Sequence, residues 1–224
     1  DSTSKKGSLR KKLYDFYKGK INILIGTQML AKGLDFDIVT LVGVVNPDNQ
    51  LYLPNFRASE RTFQLITQVS GRAGRTSEKP GEVIIQTSSP KSHSIKCVVE
   101  GDYYKFYNEE IENRRLANYP PFSRFIVIEF LGNDEKKVIN QAKLFRNLLP
   151  KKLDFADILG PVSPTIFKIR NNYRQHIIVK DLKDKDPSGR KIRSILKNAI
   201  ETYNKKYSNK SIKMIVDIDS NRDL

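Results

Sequence analysis

Two arginines in one short segment are the strongest candidates for chemistry in this chain. The segment Gln68 to Arg75 reads Q-V-S-G-R-A-G-R, with its arginines at positions 72 and 75. Residues three apart lie on neighbouring sides of a helical turn, and the glycines beside them leave room for another surface. Because a guanidinium presents a planar fork of donors, Arg72 and Arg75 could stabilise the charge that develops when a γ-phosphate is cleaved. The alternative is a helix end with two solvated arginines.

A glycine and a threonine that follow an apolar run form a second candidate site. The run Ile23 to Ile25 predicts a buried parallel strand, and Gly26-Thr27 follows it directly. A hydroxyl and backbone N–H groups at the start of a helix form a phosphate site. An ordinary strand–helix unit with a threonine cap is the alternative. That alternative weakens because both segments occur in one chain, in order and about 40 residues apart.

A third segment, Phe167 to Arg174, interleaves cations with aromatic and amide side chains. This combination suits phosphates together with stacked bases. The alternative is a twisted hairpin whose lysine and arginine side chains protect an exposed sheet edge. The residues of this segment that are predicted to bind nucleic acid are Lys168, Arg170, Tyr173 and Arg174.

The elements that position these residues follow from hydrophobic spacing. Strands alternate with helices over residues 1–100, which predicts parallel βα units in one α/β lobe. A connecting segment, 101–118, contains a charged helix over 103–116, and Pro120-Pro121 ends it. The elements predicted in the lobe are helices over 8–18 and 58–70, strands over 21–25, 39–45 and 82–86, and a loop over 46–55.

Residues 119–224 predict a second, smaller α+β domain. The βαββαβ order of its elements is typical of a ferredoxin-like sandwich. The chain as a whole therefore predicts an α/β fold, a parallel-sheet lobe followed by this small domain. The predicted elements are strand 125–130, helix 134–149, strands 157–166 and 175–180, helix 188–207 and strand 212–217.

Charge and cysteine usage indicate a polyanionic partner and a reducing compartment. The 224 residues carry a net charge of +15, and residues 119–224 hold +10 of it, from 22 Lys and Arg against 12 Asp and Glu. Such a charge favours nucleic acid, although solvated lysines alone give the same count. Cys97, the single cysteine, excludes an internal disulfide and is predicted to be a buried apolar residue. Because no stretch is apolar enough to span a membrane, the sequence predicts a cytoplasmic protein.

The segments taken together resemble those of superfamily-2 helicases. G-T-Q-M-L-A-K-G at 26–33 and Q-V-S-G-R-A-G-R at 68–75 are similar to helicase motifs V and VI. Within that superfamily the chain resembles the PriA family of replication-restart DNA helicases along nearly its whole length, which implies a RecA-like second helicase lobe. The segments that carry this closer resemblance are F-R-A-S-E-R at 56–61, Arg114-Arg115, Pro120-Pro121-Phe122 and Leu159-Gly160-Pro161-Val162.

The resemblance implies roles for residues near a nucleotide. Arg75 would be the arginine finger, Arg72 its partner on the phosphates, and Gln68 would position water or relay between nucleotide and DNA. ATP and Mg²⁺ would be held mainly by a first lobe of a longer protein, because this sequence has no G-x-x-x-x-G-K-[ST] loop and no D-E-x-H-type motif. The further positions in nucleotide-binding segments would be Gly33, Asp35 and Gly71.

The resemblance also implies a DNA substrate and movement in the 3′ to 5′ direction. Thr27 and Gln28 would contact a DNA phosphate, and Lys32 would do the same or would simply be exposed. The family carries zinc in a cysteine-rich module, whose ligands have no match in this sequence, so zinc is expected only outside this chain. Expected partners are forked or single-stranded DNA, single-strand-binding protein and primosome proteins. Two alternatives stay open, a non-enzymatic basic nucleic-acid-binding module and the second lobe of another superfamily-2 translocase.

Overall fold

The chain folds as two compact units. The structure is a computed structural model that describes residues 8–27, 38–74, 81–207 and 209–220. No helix in these ranges is long and apolar enough to cross a membrane. The N-terminal unit comprises Asp1–Leu53 and Arg57–Phe106, and the C-terminal unit comprises Pro54–Phe56 and Tyr107–Leu224.

The N-terminal unit combines a parallel pair of strands with helices. Strands β1 (Leu41–Val45) and β2 (Glu82–Gln86) are parallel, with Val42 opposite Val83. This combination confirms the α/β class predicted for the first half of the chain. The helices are α1 (Ser8–Tyr17), α2 (Asp48–Leu51), α3 (Ala58–Ser70), α4 (His93–Glu100) and α5 (Tyr103–Leu116), which continues into the C-terminal unit.

Helix α3 has its predicted bounds because its apolar residues recur at helical spacing. Ala58 and Phe63 are buried together with Thr62, whose hydroxyl donates to the Ala58 carbonyl oxygen at 2.8 Å. Phe63 stacks on Phe106 with ring centroids 4.2 Å apart, in a cluster that includes the buried Cys97. The predicted burial of Cys97 is thus confirmed, and this cluster packs α3 against α4 and α5.

The strand predicted over 21–25 is wrong. Ile23 and Ile25 are 75% and 90% exposed, and the segment pairs with no strand in the described part of the chain. An apolar run becomes a strand only where a neighbour completes its hydrogen bonds, and among the residues that the structure describes β1 and β2 pair only with each other. Two helices lie outside the predicted elements: α2, within the predicted loop 46–55, and α4.

The C-terminal unit is an antiparallel sheet with two helices packed on one face. The sheet order is β4-β6-β3-β7, with β5 paired to β6. This is the strand order of a ferredoxin-like βαββαβ fold, so the predicted architecture is confirmed. The elements are β3 (Ser123–Gly132), α6 (Glu135–Leu148), β4 (Ala156–Val162), β5 (Lys168–Ile169), β6 (Asn172–Leu182), α7 (Arg190–Lys206) and β7 (Lys213–Ile218).

An aromatic cluster joins both helices to this sheet. Phe130 of β3, Phe145 of α6 and Tyr203 of α7 are buried, and their ring centroids lie 5.6 to 5.8 Å apart. The Tyr203 hydroxyl donates to the Gln141 amide oxygen at 2.7 Å, so this buried polar group is paired. Because all three rings belong to one core, α6 and α7 lie on the same face of the sheet.

Strand β4 is shorter than predicted. It ends at Val162, whereas the prediction extends to residue 166, and its pairing with β6 shifts register between Leu159 and Val162. Gly160 has a φ of 94°, and Pro161 has no N–H to donate, so the ladder is interrupted here. Strands β3 and β6 extend beyond their predicted bounds at both ends.

Three of the segments that carry the closer resemblance contribute to aromatic packing within the C-terminal unit, the first of them through Phe56 alone. Phe56 stacks on Tyr119 with ring centroids 5.1 Å apart, and the Arg114 guanidinium lies 5.3 Å from the centre of the Phe56 ring. The Arg115 guanidinium lies 4.4 Å from the centre of the Phe122 ring. These are cation–π geometries, so the arginine pair and the Pro-Pro-Phe segment contribute to packing.

Candidate nucleotide and nucleic-acid sites

The arginine segment begins where α3 ends. Gly71 caps the helix, and its N–H donates to the Thr67 carbonyl oxygen at 3.1 Å. The Arg72 N–H donates to the Val69 carbonyl oxygen at 3.0 Å, which adds one further turn after the helix. Gln68, one turn before Arg72, is exposed, and Arg72 is half-buried. The structure therefore brings Gln68, Gly71 and Arg72 together at one helix end, and their nucleotide roles stay predictions.

A backbone anchor holds the chain directly after this helix end. The Gly74 N–H donates to the Val39 carbonyl oxygen at 3.0 Å, and Gly74 has a φ of 69°, which favours glycine. Gly81, which directly precedes β2, packs so closely that an added Cβ would lie 2.2 Å from the Ala73 carbonyl carbon. Residues 74 and 81 therefore lie side by side near the amino ends of β1 and β2.

Of the other predicted site residues in the two helicase segments, one is exposed and the rest lie outside the described residues. Thr27 is exposed. Arg75 follows the anchored Gly74 directly in the sequence. The predicted site residues that lie outside the described residues are Gln28, Lys32, Gly33, Asp35 and Arg75.

A buried aspartate joins the loops that follow the two parallel strands. Asp48 accepts hydrogen bonds from the Thr87 hydroxyl at 2.8 Å and from the Ser88 N–H at 3.0 Å. Burial raises the pKa of Asp48, but these hydrogen bonds outweigh burial and hold the pKa below its ordinary value. Asp48 thus holds the carboxyl ends of β1 and β2 together. Sequence reasoning missed it because Asp48 and Thr87 are 39 residues apart.

A two-residue turn presents the third candidate segment. Arg170 and Asn171 have φ of 47° and 63°, and Lys168 on β5 pairs with Tyr173 on β6. Positive φ at both central residues is typical of a type I′ hairpin turn. Arg170 and Lys168 are exposed, and the Lys168 ammonium lies 4.4 Å from the centre of the half-buried Tyr173 ring. The hairpin therefore presents two cations beside one aromatic ring.

Arg174 does not share this exposed position. Its Nε lies 2.5 Å from the Glu129 carboxylate, and its guanidinium donates to the Ile166 carbonyl oxygen at 3.0 Å. The His176 ring nitrogen Nε2 lies 3.1 Å from the same Glu129 oxygen. The side chains of Arg174, Glu129 and His176 are 11%, 6% and 3% exposed. This placement assigns Arg174 to a buried ion pair and argues against its predicted phosphate contact.

Known families match both units of the chain. Residues 1–77 match the family described as helicase conserved C-terminal domain, and residues 115–221 match the primosomal protein N C-terminal domain. Over 221 residues, 98% of its length, the chain is 41% identical to "Replication restart protein PriA" of Bacillus subtilis (strain 168). Over 181 residues, 80% of its length, it is 45% identical to the Chlamydia pneumoniae protein of that name. The chain belongs to the PriA family.

The chain spans about a quarter of these PriA-family relatives, 27% of the Bacillus protein and 24% of the Chlamydia protein. The helicase match ends just beyond the arginine segment, and the primosomal match begins within α5. The resemblance read from the motifs is therefore confirmed on both sides of α5.

Sequence reasoning missed the long-range pairing in this PriA-family chain. Glu129 and His176 lie opposite each other on β3 and β6, although they are 47 residues apart in sequence. Their contact depends on the register of two strands, which no local motif records. The available signal is Glu129 itself, a single acidic residue within the apolar run Phe125 to Phe130.

Proposed function

We propose that this chain is the second motor lobe and C-terminal domain of an ATP-dependent DNA helicase that acts in replication restart and moves 3′ to 5′. The observation that carries the proposal is the arginine segment, anchored at Gly74 within the helicase-matching residues 1–77. Membership of the PriA family supports replication restart as the setting. ATP would be held mainly by a first lobe outside this chain.

The residues at the end of α3 fit a nucleotide by their donor chemistry. The Gln68 amide and the Arg72 guanidinium both donate hydrogen bonds to oxygen. An added Cβ at Gly71 would make only ordinary contact, 3.6 Å from the Thr67 carbonyl oxygen. The packing of the helix end therefore does not require glycine here, and the missing side chain leaves space for a ligand. ATP supplies the free energy of the motor when bound, and the chain's arginines would hold its phosphates.

The predicted site residues of the two helicase segments have proposed roles. Arg75 stabilises the charge that develops on the γ-phosphate, Arg72 binds the phosphates, and Gln68 positions water. Mg²⁺ is assigned mainly to the first lobe and zinc to a module outside this chain. The residues proposed to contact nucleotide through the first segment are Gly33 and Asp35, and those proposed to contact a DNA phosphate are Thr27, Gln28 and Lys32.

The 224-residue chain alone should not hydrolyse ATP. The physical reason is that its arginines act on a phosphate that other groups must first bind, and the sequence has no phosphate-cradling lysine loop. Release of inorganic phosphate, measured with and without single-stranded DNA, tests this expectation, with the full-length protein as the positive control. DNA-stimulated hydrolysis by the chain alone would show that the arginine segment serves an ATP site within it.

The hairpin of β5 and β6 should bind single-stranded DNA through Lys168, Arg170 and Tyr173. Replacing Lys168 and Arg170 together by alanine should reduce the slope of log affinity against log salt concentration by about 1.4. Each phosphate contact on a single strand contributes about 0.7 to this slope. Tyr173→Ala should lower affinity with little change in slope, because stacking releases no counterion. Fluorescence anisotropy with an oligo-dT probe at several salt concentrations measures both effects.

The matched control for the double variant replaces the exposed Lys91 and Lys96, which lie in the N-terminal unit. It removes the same charge and should leave the slope unchanged. Arg174→Ala should lower stability without a comparable change of slope, because its guanidinium is paired with Glu129. If the variant without Lys168 and Arg170 kept its salt slope but self-associated more strongly, these cations would serve to protect an exposed sheet edge instead.

A further inference from the structure

Three residues from the middle of the N-terminal sequence belong to the C-terminal unit. Pro54–Phe56 packs with the C-terminal residues, whereas the chain up to Leu53 and the chain from Arg57 onwards belong to the N-terminal unit. Helix α3 begins at Ala58, and the arginine segment begins where this helix ends. The residues that lead into α3 are therefore held by the C-terminal unit.

Phe56 anchors this short segment through its ring. The ring stacks on Tyr119 with centroids 5.1 Å apart, and it lies 5.4 Å from the ring of Phe125, which is 1% exposed. The Arg114 guanidinium lies 5.3 Å from the centre of the Phe56 ring, and an ion pair of 2.8 Å with Glu110 holds it there. Two aromatic rings and one cation thus fix the position of Phe56.

In the described part of the chain, no capping side chain fixes the start of helix α3. Arg57 occupies the cap position without a capping hydrogen bond, and the first backbone bond runs from the Arg61 N–H to the Arg57 carbonyl oxygen at 2.8 Å. An apolar residue before the cap often packs on the fourth residue of its own helix. That fourth residue is Arg61, and Phe56 packs in the C-terminal unit instead. The contacts of Phe56 therefore determine where α3 starts.

Helix α3 connects this anchor to the arginine segment. Its thirteen residues, Ala58–Ser70, span about 20 Å, and Gly71 and Arg72 follow directly. The helix is also packed along its length, since Ile66 in its second half is fully buried. A hydrogen-bonded helix behaves as a rigid element, so a displacement of its first turn is passed on to its last turn.

We propose that Phe56 is a positioning residue for phosphate cleavage, because by fixing the start of α3 it sets the place of the arginines that follow this helix. The inference rests on the function proposed for Arg72 and Arg75. It goes beyond that function by adding an apolar residue that has no proposed contact with nucleotide. The C-terminal unit thereby contributes to ATP hydrolysis through the packing of one phenylalanine.

Phe56→Ala in the full-length protein should lower kcat for ATP hydrolysis by about 10- to 100-fold, since displacing a catalytic group by about 1 Å costs up to about 10²-fold. The Michaelis constant for ATP should change less, because an arginine finger acts mainly in the transition state. Phe56→Tyr keeps the ring that stacks on Tyr119 and should restore turnover. Steady-state hydrolysis at saturating single-stranded DNA measures both constants.

Phe122→Ala is the matched control for a loss of packing. Phe122 is also half-buried in the C-terminal unit and also lies beside an arginine of α5, with the Arg115 guanidinium 4.4 Å from its ring centre, but it lies outside the sequence that leads into α3. Urea unfolding should show a similar loss of stability for both variants, whereas only Phe56→Ala should lose turnover. An equal loss of turnover in both would show general destabilisation and would overturn the proposal.

A double variant shows whether Phe56 acts through the arginine segment. Phe56→Ala combined with Arg75→Ala should hydrolyse ATP no more slowly than Arg75→Ala alone, because the effects of residues that act as one unit do not add. Losses that multiply, or full turnover in Phe56→Ala beside a slow Arg75→Ala, would overturn the inference and leave the proposed function standing. Full turnover in Arg75→Ala would instead overturn the proposed function, and the inference with it.

Discussion

Arg75→Ala in the full-length protein should slow ATP hydrolysis by about 10³-fold or more, the usual contribution of an arginine finger. Nucleotide affinity should weaken much less, because the charge that the guanidinium stabilises grows mainly in the transition state. Arg72→Ala should affect both affinity and turnover, since its proposed contact is made in the ground state as well. Steady-state hydrolysis in the presence of DNA, beside a nucleotide-binding titration, measures the two quantities separately.

Two controls make this result specific to the guanidinium. Arg75→Lys keeps the charge but loses the planar fork, so it should recover only part of the rate. Arg10→Ala removes an exposed arginine of α1 and should leave turnover unchanged. If Arg75→Ala hydrolysed ATP at the rate of the unchanged protein, Arg75 would have no part in phosphate cleavage, and the proposed role of the arginine segment would be lost.

Glu129→Gln should lower the free energy of unfolding by about 2 kcal/mol at pH 7, after allowance for solvent screening. Burial raises the pKa of Glu129, but hydrogen bonds from His176 and Arg174 and the charge of Arg174 outweigh it, and the pKa falls from 4.5 to about 2. The variant removes the negative charge between these two residues. It leaves the buried Arg174 without its ion-pair partner, which is destabilising.

The pH dependence of this difference follows from the direction of the shift. A carboxyl group whose pKa is lower in the folded state contributes stability above its unfolded value of 4.5, and this contribution is lost as the pH falls towards 2. The difference in the free energy of unfolding between Glu129→Gln and the unchanged chain should therefore decrease from about pH 5 downwards. Urea unfolding at several pH values measures it, with the exposed Glu109→Gln as control. A difference in unfolding free energy that stayed constant from pH 7 to pH 3 would contradict a stabilising ion pair at Glu129.

The parts of the fold that were predictable from sequence depend on local spacing. Helix α3 has its predicted bounds because Ala58, Phe63 and Ile66 recur on one side of it. The βαββαβ order follows in the same way, since periodicity within each segment indicates its element. The run Ile21 to Ile25 fails for the opposite reason, because a strand needs a partner that the run itself does not specify.

The sites were less predictable because they depend on where distant elements meet. Arg174 has the same residue type as Arg170 and lies in the same short segment, but strand register places it beside Glu129, 45 residues away. Likewise, the apolar side chain of Phe56 can be read from sequence, whereas its stacking on Tyr119 depends on packing within the C-terminal unit.

The close approach of Gly74 and Gly81 has a consequence for how this lobe can vary among relatives. Because Gly81 packs against Ala73 and Gly74, the two ends of any segment between Gly74 and Gly81 are already held together, and its length changes the free energy of folding mainly through loop-closure entropy. Doubling the length of a flexible loop costs about 0.6 kcal/mol, little compared with the stability of a domain. Insertions and deletions between Thr76 and Pro80 should therefore be tolerated. Arg75 is the exception, because the proposed arginine finger follows the anchored Gly74 directly in the sequence and an insertion between the two would separate them.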